Sequence, residues 1–395
     1  MRSLFALALT TVALAAPSGD SSNNQKSSHE TSKAAYFLDN DPAGSSIVSI
    51  RIDESGMLRD SPVRTSTRGN GAIGMNSTGF KNTADSLFSQ DAVVVSGEMM
   101  FTINPGSSTI VMFRINPSDP YHPTMVGSPA STIGEFPMSV TYSAALRTVC
   151  VMNGGAKAGV ACFSADPFYG LKPVGPLRSI GKAIDETTPA TGPPGSASDI
   201  FFTPDSSAVL VTTKGDAGST PPKQGYFATF PVKNGKVANK PVLSQISDIL
   251  MQFSITWLDE FRFLLSDPAY GVSILSIAHD FTLTELAHTK IPNEVAICWT
   301  SYDPALSMAY AIDVGQPYLT KINPSSGAIE GRINIDKNLV GMFDSSILND
   351  KMYSLSGVNG IVVTDLVKEK QAQFLDLTGF GERAFYQGMA VWPKM

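Results

Sequence analysis

Short apolar stretches separated by polar turn residues recur along the whole chain. Each repeat has a short apolar run, a loop that often opens on Asn or Asp, and a second run in which apolar and polar residues alternate. Alternation with a period of two predicts β-strands with one buried face. The repeats, which start 43 to 64 residues apart, begin at Tyr36, Met100, Val149, Leu210, Phe263, Tyr310 and Tyr353.

Each repeat is flanked by further strand-like segments, for example 91–95 before the second repeat and 173–177 after the third. Four strands per repeat, at this spacing, predict the blades of a β-propeller. The sequence therefore predicts an all-β fold, a seven-bladed propeller with four-stranded blades. Two separate β-sandwiches would also contain many short strands.

The two ends of the chain favour a ring over sandwiches. The first repeat lacks a strand before it, and the final apolar segment, 388–392, lacks a partner after it. We expect the C-terminal strand to complete the N-terminal blade, which removes exposed sheet edges. The longest insertion, residues 65–90, is interpreted as a surface loop.

The N-terminus has the features of a secretory signal. Arg2 precedes a short apolar stretch, residues 4–14, and Ala13-Leu14-Ala15 matches a small-x-small cleavage pattern. The apolar stretch is well short of the ~20 residues that span a bilayer. We predict a signal peptide at 1–15, a disordered polar tail at 16–33, a single propeller at 34–395, and a secreted or extracellular protein, with cell-wall association open.

Composition excludes several partners and chemistries. The chain has 29 Lys and Arg against 35 Asp and Glu, a net charge of −6, without basic runs. This argues against nucleic acid. Phosphate-binding loops, dinucleotide fingerprints, serine-nucleophile elbows and zinc-ligand spacings do not occur in the sequence. We therefore expect no cofactor, no metal and no membrane span, and a monomer because a closed ring has no free edge.

Cysteine spacing predicts a hairpin cross-link. Cys150 and Cys162 flank a Gly-rich turn whose midpoint is residue 156, so an antiparallel hairpin would place them opposite each other. A disulfide is predicted, with two buried thiols as the alternative; Cys298 is interpreted as a core thiol. Asn76 begins an N-glycosylation sequon.

Polar residues at the starts of inner strands and in the loops between the second and third strands should meet on one face of the ring. A ligand is expected there, at the channel mouth. The residues predicted to lie on this face are Asn40, Asp91, Asn104, Glu135, Asn153, Asp199, Lys214, Gln252, Asp267, Glu294, Asp344 and Gln387.

Two interpretations of these residues remain open. Crowded carboxylates have raised pKa values and serve as general acids or bases. Alternatively, each Asp or Asn caps a turn by bonding nearby backbone groups. A third possibility is a small apolar ligand at the mouth, bound by Phe136, Met138, Met251 and Phe343.

Histidine is scarce and is predicted to lie away from the channel. His29 falls in the tail, and His122, His279 and His288 fall on outer strands or their hairpins. The usual base for proton transfer near neutral pH is then missing from the channel.

Several segments resemble secreted fungal proteins of the 3-carboxymuconate cyclase-like or lactonase-like propeller family. They include YFLDNDPAGSSIVSIRI from Tyr36, VCVMNGGAKAGVACFSAD from Val149, and the final YQGMAVWP from Tyr386. The resemblance implies a seven-bladed propeller. It also implies either a metal-free lactone chemistry, as in intracellular relatives, or a cell-wall glycoprotein, adhesin, virulence factor or allergen, as in secreted ones.

Two functional predictions follow from these observations. The first is a secreted, non-catalytic glycoprotein that binds a host or matrix protein, because no histidine is predicted in the channel. The alternative is an extracellular lactonase or 3-carboxymuconate cyclase in which Glu135, Asp199 or Glu294 acts as acid or base. Lys214 or Arg147 would then steer a carboxylated substrate.

Overall fold

The computed structural model describes residues 32–59, 61–181 and 186–393. The predicted signal peptide, His29 and all but the last two residues of the predicted tail lie outside the described residues. Lys33, which was assigned to that tail, begins the first strand. Within the described residues, no helix has the length and apolar character needed to cross a bilayer.

Seven antiparallel sheets form the seven blades of a propeller, which confirms the predicted fold. We name the strands of each blade a to d from the inside outwards. Blade 1 consists of Tyr386–Trp392, Lys33–Asp39, Ser46–Ile52 and Val63–Ser66. Blade 2 consists of Val93–Ser96, Met99–Asn104, Thr109–Asn116 and Asp119–Met125, with Ala130–Ser131 paired to strand c. Blade 3 consists of Pro137–Ser143, Thr148–Asn153, Gly159–Asp166 and Gly170–Pro173.

The remaining blades follow the same order. Blade 4 consists of Ala197–Phe202, Ala208–Thr213, Tyr226–Lys233 and Lys236–Val237, with Val242–Ser244 also paired to strand c. Blade 5 consists of Ile255–Trp257, Arg262–Asp267, Gly271–Ile277 and Leu283–Lys290. Blade 6 consists of Ile297–Asp303, Met308–Asp313, Tyr318–Ile322 and Ile329–Asn334. Blade 7 consists of Met342–Leu348, Lys351–Ser356, Gly360–Asp365 and Lys370–Asp376, followed by a 3-10 turn, Arg383–Phe385.

The C-terminal strand closes the ring. Ala34 pairs with Trp392 and Ala35 with Val391, so the last strand of the chain is strand a of the first blade. The pairing predicted from the two orphan segments is thereby confirmed. Closure leaves the inner strands without a free edge, which protects them from pairing with another chain.

The blades are held together by apolar side chains between neighbouring sheets. Strands b and c are buried along nearly their whole length, as in Ala208–Thr213 and Gly360–Asp365. Their continuous burial reflects contact with a neighbouring blade on each face of the sheet. Aromatic rings fill much of this space, including Phe37, Phe101 and Phe227, each fully buried.

The hairpin of blade 3 carries a disulfide. Cys150 lies directly opposite Cys162 in the register of strands b and c, and their sulfur atoms are 2.09 Å apart. Closing a loop of this size stabilises a fold by about 3 kcal/mol. Cys298, in strand a of blade 6, is a buried free thiol.

The two faces of the ring differ in their connections. The a–b and c–d connections are mostly short turns, and we call their side the turn face. The b–c loops and the longer connections between blades share the other side, which we call the loop face.

The insertion between blades 1 and 2 enters the loop-face mouth of the channel. The interpretation of residues 65–90 as a surface loop is wrong for much of the segment: residues 65 and 66 belong to strand d of blade 1, and Leu87 and Phe88 are at most 1% exposed. We call residues 72–90 the plug. Only its middle, around Phe80, is solvent-exposed.

Candidate functional site

Polar residues at the ends of b strands hold b–c loops in place, through hydrogen bonds to a neighbouring connection or across the loop itself. The side-chain amide of Asn40 donates to the carbonyl oxygen of Ala72, 2.6 Å away. The carboxylate of Asp267 accepts from the backbone N–H groups of Leu250 and Met251, at 2.7 and 2.9 Å. Bonds of this kind are those that the turn-capping interpretation describes.

The same arrangement recurs in other blades. Asn104 donates to Thr109, and Asn153 donates to the carbonyl oxygen of Gly159. Asp313, which sequence reasoning did not select, accepts from the N–H groups of Val295 and Ala296. In these five blades, the residue at this level therefore makes bonds that hold loops.

Lys214 occupies the equivalent position in blade 4 and fastens the plug. Its Nζ donates to the carbonyl oxygens of Phe88 and Ala197, at 2.6 and 2.5 Å. Lys214 is only 2% exposed. Burial lowers the pKa of Lys214 to about 7, although the negative charge of Asp85 acts to raise it. The two bonds from Nζ join the plug to the start of strand a of blade 4.

Buried acids lie within the plug and beside it. Burial raises the pKa of Asp85 to about 6, and the charge of Lys214 opposes the shift. Burial also raises the pKa of Glu186 to about 7, although its carboxylate accepts from the backbone N–H of Ala197 and lies near Lys214. Asp85 and Glu186 were not identified from the sequence, because each lies in a connection without strand periodicity. The adjacent apolar residues Leu87 and Phe88 were the one feature of the sequence that indicated burial of the plug.

Asp344 and Gln387 lie inside the ring rather than at an open mouth. Asp344 is 3% exposed, and its carboxylate accepts from the N–H of Gly388 at 2.8 Å. Burial, followed by the charge of Asp85, raises the pKa of Asp344 to about 8. Gln387, in the same region, is 2% exposed.

The other two predicted acids lie on the loop face. Glu135 is half-buried, and its carboxylate accepts from the hydroxyl of Thr188 at 2.7 Å. Glu294 is half-buried; burial and the nearby Asp313 and Asp267 raise its pKa to about 7. Neither residue joins Asp199, so the structure does not bring the three proposed catalytic acids together.

The predicted apolar mouth is filled from within the chain. Phe88 of the plug packs against Phe136 with ring centroids 6.4 Å apart, and the hydroxyl of Ser89 donates to the carbonyl oxygen of Met138. Phe136, Met138 and Phe343 are each at most 6% exposed. Gln252 is fully buried nearby and donates to the carbonyl oxygen of Ile249.

A cavity of about 410 Å³ occupies the channel on the opposite side of the plug. This volume lies within the range of small-molecule sites. It is formed by inner strands and a–b turns of six blades, with exposed residues such as Ala144 and Pro204 at the turn face. The cavity is lined by Asp91, Val93, Val94, Thr141, Tyr142, Ser143, Ala144, Ala145, Phe201, Phe202, Thr203, Pro204, Ser206, Trp257, Ser345, Ser346, Met389 and Ala390.

A pair of carboxyl groups lies at the inner end of this cavity. Asp91, half-buried, lines the cavity, whereas Asp199 is fully buried. The carboxylate of Asp199 accepts from the hydroxyl of Ser139 at 3.1 Å and from the N–H of Ile255 at 3.2 Å. Burial and then the charge of Asp91 raise the pKa of Asp199 well above its ordinary value.

Local backbone irregularities position these acids. The register of strand a slips by one residue between Ala197 and Ile200 in blade 4, and between Met342 and Ser345 in blade 7. Such β-bulges redirect side chains, and Asp199 and Asp344 lie within them. Asp91 has a φ of 60°, in the left-handed region, which Asp and Asn tolerate better than most residues.

The walls of the cavity combine rigid aromatic rings with hydroxyl groups. The indole N–H of Trp257 donates to the carbonyl oxygen of Phe202 at 3.1 Å, and its ring meets Phe201 edge-on at 5.7 Å. The hydroxyl of Ser143 bonds to that of Ser206 in the a–b turn of blade 4 at 2.8 Å, and the hydroxyl of Ser345 bonds to that of Ser354 in the neighbouring strand b at 2.7 Å.

The histidines described by the structure lie away from the cavity. His122 pairs with Asp119 on strand d of blade 2. His288 pairs with Glu285 on strand d of blade 5, and His279 packs against Phe261 in a hairpin turn. Across residues 32–59, 61–181 and 186–393, no three His, Cys, Asp or Glu side chains are grouped to hold a metal ion.

The buried acids give a prediction for stability. Asp344 has a pKa of about 8 when folded against an ordinary value of 3.8, so the native state binds more protons than the unfolded state between these values. Its contribution to stability is therefore full below about pH 4 and is lost as the pH rises towards 8. Asp85, Glu186 and Asp199 act in the same direction. We expect the free energy of unfolding, measured by chemical denaturation, to be higher at pH 5 than at pH 7.

The Asp344→Asn variant should show a weaker pH dependence over this range, by at most about 1.4 kcal/mol per pH unit. An Asn side-chain oxygen can still accept from Gly388. Asp376→Asn is the control, because Asp376 is exposed and hydrogen bonds from Thr378 lower its pKa. An unchanged slope in Asp344→Asn, or stability that rises from pH 5 to 7, would contradict the prediction.

No protein-family model matches the chain, and no curated protein matches it in sequence. Solved structures match over nearly the whole propeller. A putative 6-phosphogluconolactonase from Bacteroides uniformis has a TM-score of 0.61 and 16% identity, over 91% of this chain and 99% of that one. The periplasmic gluconolactonase PpgL from Pseudomonas aeruginosa has a TM-score of 0.64 and 13% identity, over 91% and 99%.

A third match is a protein from Lactobacillus plantarum, with a TM-score of 0.64 and 11% identity over 92% of this chain and 99% of that one. Likeness at these identities establishes a shared fold. Function must therefore be argued from the cavity and its residues.

Proposed function

We propose that this chain is a lactone hydrolase whose active site is the channel cavity on the turn face. The observation that carries the proposal is the carboxyl pair at its inner end, where Asp91 reaches the cavity and Asp199 lies buried behind it. A carboxylate beside a second carboxyl group that retains its proton is a recognised acid–base arrangement.

The chemistry requires one base that becomes an acid. Asp91 takes a proton from water as the water oxygen bonds to the lactone carbonyl carbon. The bond from that carbon to the ring oxygen then breaks, and Asp91 returns the proton to the departing oxygen. The product is the hydroxy acid, and water and lactone are the only reactants consumed.

The other residues support this step without bonding to the substrate covalently. Asp199 is a positioning residue, because Ser139 and Ile255 hold its carboxyl group in place and its pKa is raised by burial and by the neighbouring Asp91. Hydroxyl groups on the wall, such as those of Tyr142 and Ser346, are the donors available to the carbonyl oxygen as negative charge develops there.

Two structural neighbours support the reaction class. The putative 6-phosphogluconolactonase and the periplasmic gluconolactonase share the propeller, and both names specify lactone substrates. They favour the enzymatic prediction over the non-catalytic one. None of the histidines that the structure describes lines the cavity; this does not oppose the proposal, because a carboxyl pair supplies the base.

The proposed setting is extracellular. Its support is the signal-like segment at 1–15, together with the sequon at Asn76, which lies in the part of the plug that reaches solvent. The side-chain oxygen of Asn76 accepts from the N–H and hydroxyl of Thr78. A glycan at Asn76 would lie on the loop face, away from the cavity.

The first test is lactone turnover by the purified protein. Hydrolysis releases a proton, so a pH-stat follows it directly with glucono-1,5-lactone and its 6-phosphate between pH 5 and 8. We expect a rate that rises with enzyme concentration and saturates with substrate, beyond spontaneous hydrolysis. If neither lactone is hydrolysed at an enzyme-dependent rate, the proposal is contradicted. The non-catalytic binding function, the first of the two sequence-based predictions, would then be favoured.

A further inference from the structure

The charge of the cavity wall restricts the substrates that it can accept. Within the described part of the chain, Asp91 is the one charged residue that lines the cavity, and no Lys, Arg or His lines it. The remaining lining residues are aliphatic, aromatic or hydroxyl-bearing. A phosphate or carboxylate group would therefore enter a site whose single fixed charge repels it.

Lys214 and Arg147, the two basic residues predicted from the sequence to steer a substrate, do not add a positive charge to the cavity wall. Lys214 is buried on the far side, where it holds the plug. Arg147 is exposed on the a–b turn of blade 3. The positive charge of Arg147 acts on Tyr142 of the cavity wall and also on the carboxylate of Asp166 in the adjacent c–d turn, and each interaction lowers the pKa of the group concerned. The charge of Arg147 is therefore partly balanced by that of Asp166.

The rim of the cavity adds further negative charge. Asp205 is exposed on the a–b turn of blade 4, next to the lining residues Pro204 and Ser206. Glu98 is exposed on the a–b turn of blade 2. An anionic substrate approaching the turn face would meet these carboxylates before it reached Asp91.

From this wall we infer that the site takes uncharged lactones, such as an unphosphorylated sugar lactone, and discriminates against phosphorylated or carboxylated ones. The inference rests on the proposed function and narrows it. The aromatic rings of Trp257 and Phe201 can pack against the apolar face of a sugar-lactone ring. The serine hydroxyls of the wall can form hydrogen bonds with the hydroxyl groups of the sugar. It also removes 3-carboxymuconate, which carries several carboxylates, from the predicted substrates.

The direct test compares kcat/KM for hydrolysis of glucono-1,5-lactone, its 6-phosphate and the carboxylated lactone of 3-carboxymuconate. We expect the neutral lactone to be preferred by about tenfold or more over each anion. The preference should shrink as salt is raised, because ions screen repulsion from exposed rim charges. Equal or greater kcat/KM for either anion would overturn the inference while leaving lactone hydrolysis intact.

A charge added to the wall provides a matched test. Ser346→Arg places a cation in the cavity lining, and it should shift the kcat/KM ratio towards the phosphorylated lactone. Ala305→Arg adds the same charge on the turn face, in the exposed a–b turn of blade 6 and outside the lining; it should leave the ratio unchanged. Equal shifts in both variants, or no shift in Ser346→Arg, would overturn the inference.

Binding separates failure of the inference from failure of the proposed reaction. The gluconolactam ring, which resists hydrolysis, is titrated calorimetrically with and without a 6-phosphate. Tighter binding of the neutral lactam by a protein that turns over no lactone would refute the reaction and retain the substrate class. Tighter binding of the phosphate, or no binding of either, would refute the substrate class.

Discussion

Replacing Asp91 with Asn should reduce kcat for lactone hydrolysis by about 10²- to 10⁴-fold, the range that a positioned acid–base group contributes. The substitution removes the base but keeps the shape of the side chain. The backbone should not change, because Asn tolerates the left-handed φ of 60° found at this position. Substrate affinity should fall less than kcat, since the proton transfer belongs to the transition state.

Glu98→Gln is the matched control. Glu98 is an exposed acid on the a–b turn of the same blade, and it does not line the cavity. Its substitution changes the net charge by the same amount and should leave kcat within experimental error. Retention of wild-type kcat by Asp91→Asn, measured by pH-stat on a protein with an unchanged circular dichroism spectrum, would remove Asp91 from the mechanism.

Replacing Phe88 with Ala should lower the free energy of unfolding by about 3 to 5 kcal/mol, the usual cost of truncating a buried Phe. Phe88 is 1% exposed and packs against Phe136 from blade 3. Its ring also lies close to Gly74 and Gly192, where added Cβ atoms would come within 2.3 and 2.7 Å of it. Loss of the ring should leave a void between the plug and blades 3 and 4.

Phe80→Ala tests whether this effect is specific to the buried part of the plug. Phe80 lies in the same segment but is 72% exposed, so its truncation should change stability by no more than about 0.5 kcal/mol. Chemical denaturation gives both values, and limited proteolysis should cleave the plug faster in Phe88→Ala alone. Equal stability of the two variants would show that Phe88 does not anchor the plug.

The sequence alone determined the architecture of this protein. Period-two alternation in seven copies predicted the blades, and the unpaired segments at the two ends predicted the closure between Ala34 and Trp392. The alternation and the unpaired end segments can each be recognised within short stretches of sequence, and the alternation is repeated in every blade. The opposed positions of Cys150 and Cys162 followed from the midpoint of a single turn.

The tertiary structure alone decided where the channel is open. The sequence placed an acidic funnel on the loop face, but Phe88 and Lys214 close that mouth through contacts between residues that are 126 positions apart. No period or motif marks such a contact. The pattern located polar residues at the ends of the b strands, but several of their hydrogen-bond partners lie in connections that are remote in the chain.

The proposed catalytic pair likewise depends on both the sequence and the tertiary structure. Asp91 and Asp199 were each recognised as polar residues at the start of an inner strand, yet they belong to different blades. Only the folded ring, with the β-bulge near Asp199, brings the two side chains close enough to interact. A sequence encodes strands through neighbours in the chain, whereas the electrostatics of a channel depend on distances across the ring, which the folded structure sets.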